Sequence, residues 1–170
     1  MGVIVVLTLT LSEQKENLKP PPVPKNPQGA DILINNFHYT STNDQGVKEW
    51  ELKANTASYF QDKKTAGFEK VNVIFYSREG RIFTVQGDQG TLNTEAKDFK
   101  LSGNVVGTSS DGYKFRTESL TYTADNNEAR TDKKVFLESP QFNLEGMGMV
   151  LDIKNQKLFL LKNVMAKGTK

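Results

Sequence analysis

The chain contains no cysteine, which excludes disulfide staples and thiolate metal centres without fixing the compartment, since many exported proteins also lack the residue. Its one histidine, His38, rules out a multi-histidine metal site and is expected on the solvent face of a strand. An excess of one charge is also missing. Lys and Arg number 22 against 20 Asp and Glu, and no basic patch stands out, so nucleic acid is not an expected partner. Helical periodicity is scarce. The best case, Ala54 to Ala66, has good helix formers, but equivalent positions further along are rich in Thr and Gly, which suit strands and corners. At 170 residues the chain has the size of one domain able to bury a core.

Long apolar runs are limited to residues 1–11, with GVIVVLTLTL at their heart. Ten helical residues rise only about 15 Å against a hydrocarbon core of about 30 Å, and no Lys or Arg precedes them as a signal peptide would require. Two readings stand: the clipped end of a membrane anchor, or a β-prone segment that pairs elsewhere. Residues 12–29 follow as a spacer, because five of the six prolines fall between Pro20 and Pro27 and favour extended polyproline geometry. Residues 30–166 form the expected folded domain and 167–170 a short tail.

What the domain does contain is a repeat. Phe83-x-Val85-x-Gly87-x-x-Gly90-x-Leu92 leads into the turn Glu95-Ala96-Lys97, then Phe99-x-Leu101, Val105 and the break Ser109-Ser110-Asp111-Gly112. The same order returns as Trp50-x-Leu52-x-Ala54-x-x-Ala57-x-Tyr59, as Tyr113-x-Phe115-x-Thr117-x-x-Leu120-x-Tyr122, and as Phe142-x-Leu144-x-Gly146-x-x-Met149-x-Leu151. The period is about thirty residues, within the range of repeat architectures. Apolar residues two apart share one face of a strand, so each unit is two strands joined by a short polar turn, and short turns dictate antiparallel pairing. Ahead of the repeats, Ile32, Ile34, Phe37 and Tyr39 predict an opening strand, with Asn43 to Gly46 as its turn.

In each unit the alternation slips by one after a small residue: Ala54, Gly87, Thr117 or Gly146. A slip would turn half the strand inside out unless the backbone bent there, so each slip predicts a corner, with Gly87 and Gly146 expected to hold angles open only to glycine. The expected fold is all-β: a twisted antiparallel β-jelly-roll built from these two-strand repeats.

Candidates for chemistry are few. Asp88 and Glu118 occupy matching places in adjacent units and could sit about one rung apart, as glycosidase carboxylates would, so a carbohydrate-active β enzyme is one reading. The plainer one is a pair of solvated acids at corners. GDQG and SSDG lack the spacing of calcium or phosphate loops and read as turns. Gly146-Met147-Gly148-Met149 fits a core filler or a flexible lipid contact. No cofactor and no metal is expected.

The Trp50 to Tyr59 pattern, preceded by an apolar N-terminus and a linker and followed by Gly103-Asn104-Val105-Val106 and the later repeats, resembles the LptC family over roughly residues 30 to 166. The resemblance implies a jelly roll whose apolar interior holds lipid acyl chains. It also implies a place on the periplasmic side of the inner membrane, held by a single N-terminal anchor. The partners it implies are lipopolysaccharide, the inner-membrane ABC transporter that supplies it, and the soluble bridge protein LptA that receives it. A soluble periplasmic lipid chaperone or scaffold of the same fold is the alternative.

The interior stripe supplies the lipid-binding candidates: Leu52, Tyr59, Phe68, Val73, Phe75, Phe83, Val85, Leu92, Phe99, Leu101, Val105, Phe115, Leu120, Tyr122, Phe142, Leu144, Met149 and Leu151. Periodicity alone leaves open whether that interior is a slot or a filled core. The last strand, with Leu158, Leu160, Lys162, Asn163 and Val164, is the candidate docking edge, because an open sheet leaves an unpaired strand that a partner can extend.

Overall fold

The computed structural model describes residues 29–168. The apolar run and nearly all of the proline-rich spacer lie outside the described residues. Nine strands follow one another: β1 (Ile32–Thr42), β2 (Lys48–Phe60), β3 (Thr65–Tyr76), β4 (Ile82–Asn93), β5 (Phe99–Ser109), β6 (Lys114–Thr123), β7 (Glu128–Glu138), β8 (Phe142–Asp152) and β9 (Lys157–Gly168). Each pairs antiparallel with the next in a single sheet ordered β1 to β9. Ala54 to Ala66 is strand and turn, as the repeat requires. β9 runs on to Gly168, past the expected end of the domain. The repeat turns close on a left-handed residue in the same place each time, at Lys64, Lys97, Asn127 and Gln156.

Every ladder is interrupted near its middle, from Asn36 in the β1–β2 pair to Asn163 in the β8–β9 pair, so the sheet is one ribbon of strands folded along a crease into two facing leaves. On β2, Leu52 and Ala54 are buried before the slip and Ala57 after it; on β6, Phe115 and Thr117 come before it and Leu120 after. The strained residues of the crease are not where the alternation suggested. Gly87 and Gly146 have ordinary backbone angles, and the left-handed positions are Asn36 (φ 55°), Lys70 (φ 53°), Gly103 (φ 77°), Asn104 (φ 49°), Gly148 (φ 80°) and Asn163 (φ 51°). The reason is that a corner between paired strands can be absorbed by either one. Here β5, β7 and β9 carry the extra residue, as the register shifts between Ser102/Val105, Thr131/Lys134 and Glu145/Met147 show. Asn and Gly tolerate the left-handed region best.

The residues most completely buried are Val71, Val105, Val135 and Met149, one each on β3, β5, β7 and β8 beside the crease. They form the packed floor between the leaves. Toward β1 a ring contact joins the leaves, with Phe37 5.6 Å from Phe68; within the second leaf Phe68 lies 6.0 Å from Phe99, and within the first Tyr39 lies 4.9 Å from Trp50 in a tilted pair. Small partners make room for them. Phe68 stands in register between Ala57 and Gly90, and a Cβ on Gly90 would come within 2.9 Å of both Phe99 and Val71.

Candidate functional site

Between the leaves lies a slot of about 1770 Å3. One wall comes from the first leaf, with Leu52, Val73, Phe75, Phe83, Val85, Phe115, Leu137, Phe142 and Leu144; the other from the second, with Leu92, Phe99, Leu101, Leu120, Tyr122 and Leu151. A drug-sized pocket measures about 300–1,000 Å3, so this interior has room for a larger apolar guest. The question that periodicity left open is answered in favour of a slot.

Four sequence candidates stand elsewhere. Val105 and Met149 belong to the packed floor, while Tyr59 and Phe68 border a much smaller void of about 10 Å3 beneath β1 to β3. Leu137 and Trp50 line the slot and were not among the candidates, although Leu137 follows Val135 at the spacing of two that marks the inward face.

The rim of the slot is polar, because it is made by the turns at the free ends of the leaves. Glu49, Arg81 and Asp111 stand on one lip, and Glu95, Lys97 and Asp125 on the other. Arg81 is shared between Glu79 at 3.6 Å and Asp111 at 3.7 Å, and Lys64 pairs with Glu95. Inside, burial pushes the Tyr122 phenol above its ordinary pKa, and its hydroxyl donates to Asn127 Oδ1 at 3.1 Å. The slot is thus a wall of hydrocarbon under a charged rim.

Residues first weighed for catalysis have structural tasks. Asp88 sits on the crease, where its two carboxylate oxygens accept from Lys70 Nζ at 2.8 Å and Asn104 Nδ2 at 2.7 Å. Those two bonds hold its pKa below the usual carboxylate range, the reverse of what a general acid needs. The clamp ties down two left-handed residues, Lys70 and Asn104. Glu118 is on β6, and β5 stands between it and Asp88, so the acids are not on adjacent rungs. His38 is on the solvent face as expected, with its Nε2 2.8 Å from Glu51. Glu51 is only 4 % exposed although it lies on the outer face of β2. Its carboxylate accepts from the Tyr76 hydroxyl at 2.6 Å, from His38, and from Lys48 Nζ at 3.1 Å, and these bonds, Tyr76 foremost, hold its pKa at about 2.

At β9 the side chains divide. Leu158 and Leu160 are half-buried and line the slot, and the exposed Val164 lines it too. Lys162 and Asn163 are exposed, and Asn163 is the left-handed residue of the bulge. Phe159, Leu161 and Met165 are each at least half exposed, and the far edge of β9 has no neighbouring strand among the described residues. The slot thus reaches the open edge of the sheet.

The profile described as "Lipopolysaccharide-assembly, LptC-related" matches residues 1–168. The chain belongs to the LptC family. No curated protein sequence matches it. Membership places the chain in lipopolysaccharide transport, in a family that is periplasmic, anchored to the inner membrane and not known for catalysis. Among the described residues no helix is long and apolar enough to cross a membrane.

Proposed function

We propose that this chain is a lipopolysaccharide-binding bridge: it receives lipopolysaccharide from the inner-membrane ABC transporter, holds the acyl chains in the slot, and passes them to LptA docked on β9. The apolar run at residues 1–11 belongs to the single anchor that keeps the domain at the inner membrane. The observation that carries this reading is the continuity of the slot with the free edge. Leu158, Leu160 and Val164 line the interior and belong to the last strand, so a partner strand added to β9 extends the apolar walls and lets the lipid slide across without meeting water. A slot closed at both edges would store a lipid but not hand it on.

Proline tests the edge, because it removes a backbone donor while an edge strand tolerates it. The position must be chosen by geometry. Asn163, at φ 51°, cannot accept a residue locked near −65°. The Lys162 carbonyl is turned toward β8, 3.2 Å from where a Gly146 Cβ would stand. Backbone groups alternate in direction along a strand, so Leu161 turns its own toward the open edge. Leu161→Pro should leave the domain folded and lipopolysaccharide loading intact, while capture of LptA is lost. Capture at the wild-type level by a folded Leu161→Pro protein would remove β9 as the docking edge.

A further inference from the structure

On its β1 side the slot is bounded by Phe99, and Phe68 stands directly behind that ring, 6.0 Å away. Phe68 is 3 % exposed and stands between Phe37, which borders the small void beneath β1 to β3, and Phe99, which lines the slot. Its neighbours in register, Ala57 and Gly90, are too small to block the way themselves. Gly90 in particular lets Phe99 and Val71 meet over its backbone. The small void, lined by Ile32, Ile34, Ala57 and Tyr59 among others, is as apolar as the slot but nearly collapsed at about 10 Å3. Two apolar spaces of such different size, divided by a ring with small residues on either side, form a depth stop.

We propose that Phe68 sets the limit on acyl length by backing Phe99, so that the slot ends on its β1 side and a chain reaches no further toward β1. This rests on the reading of the slot as an acyl-chain site. Chains up to the stop gain burial with each methylene; longer ones must bend back or leave methylenes in water. Shortening Phe68 opens space behind Phe99, next to the small void, and lets that ring give way so that the stop moves toward Ile34 and Tyr59.

The test uses the full chain and a series of saturated fatty acids of increasing length, competing against a fluorescent acyl probe. For the wild type, affinity should rise about fourfold with each added methylene and then level off. In Phe68→Ala the levelling-off should move to longer chains, with the same fourfold steps continuing beyond the wild-type limit. Because Phe68 is deeply buried and the alanine variant can be unstable, Phe68→Leu is measured beside it; leucine is shorter than phenylalanine and keeps most of the packing. A shift in either folded variant supports the stop. An unchanged limit in Phe68→Leu, with Phe68→Ala either unchanged or unfolded, overturns it. Failure of every fatty acid to displace the probe from the wild type would count instead against the acyl-site reading itself.

Discussion

Gly107 offers the most direct way to disturb the slot through its packing. It pairs with Phe115 across β5 and β6, and a Cβ built on it would lie 2.0 Å from Phe115 Cε1 and 2.4 Å from Cζ. Carbon atoms in contact sit about 3.5–4.0 Å apart, so Gly107→Ala requires the ring to move by about 1.5 Å or more. Phe115 lines the slot, and the slot is the space into which a ring lifted off Gly107 can move. The cost is the part of the ring's burial that is lost plus some rotamer strain, together about 1–2 kcal/mol. For a domain of this size that lowers Tm by about 2–8 °C. The displaced ring also takes up room for one or two methylenes of guest, which weakens acyl-probe binding about 4- to 15-fold. Thermal melts and probe titration measure both effects, and a double-mutant cycle assigns them. In a Phe115→Ala background the Gly107→Ala change should cost little, because the clashing atoms are gone. If Gly107→Ala is silent on both measures, or equally harmful without the ring, the stacking of Phe115 over Gly107 does not shape the slot.

Met149 is fully buried in the crease floor, so Met149→Ala should cost about 2–5 kcal/mol in urea unfolding. A cost below 1 kcal/mol would mean that the floor is not tightly packed. Glu51, with its pKa held at about 2 against an ordinary 4.5, adds stability that is complete above about pH 4.5 and is lost as pH falls through 2. Glu51→Gln should therefore lower Tm at neutral pH, and the gap from wild type should narrow between pH 4.5 and 2; a gap constant with pH would contradict the clamp of Tyr76, His38 and Lys48. Gly148→Ala should cost about 1–2 kcal/mol because its φ is 80°, whereas Gly87→Ala, at an ordinary angle and with no contact closer than 3.4 Å, should cost clearly less. Equal costs would mean that backbone angle is not what sets the crease.

The parts of this fold that depend on alternation were legible. Phe83, Val85 and Gly87, then Gly90 and Leu92, announce a strand that turns a corner and keeps one face inward, and β4 does so. The parts that depend on register were not. Nothing local distinguishes Lys70 as a left-handed residue; its side chain meets Asp88, which also accepts from Asn104 across the crease, and seeing that requires knowing that β3, β4 and β5 are neighbours. The slot was invisible for a different reason. A stripe of Phe, Leu and Val has the same period whether its side chains interdigitate or face each other across a gap, and only the distance between the leaves separates Phe68, in the wall, from Phe99, on the slot. Leu158 and Leu160 illustrate both difficulties, since they read as an exposed edge and yet their side chains line the interior.

If lipopolysaccharide occupies the slot, its acyl chains lie between the leaves and touch only inward side chains. Phe115 and Arg116 are consecutive on β6, but Phe115 lines the slot while Arg116 points outward to Glu138 at 3.1 Å. A photoreactive residue placed at each position in turn, in cells making lipopolysaccharide, should capture the lipid at position 115 and not at 116. Equal capture at both, or capture at 116 alone, would contradict the account.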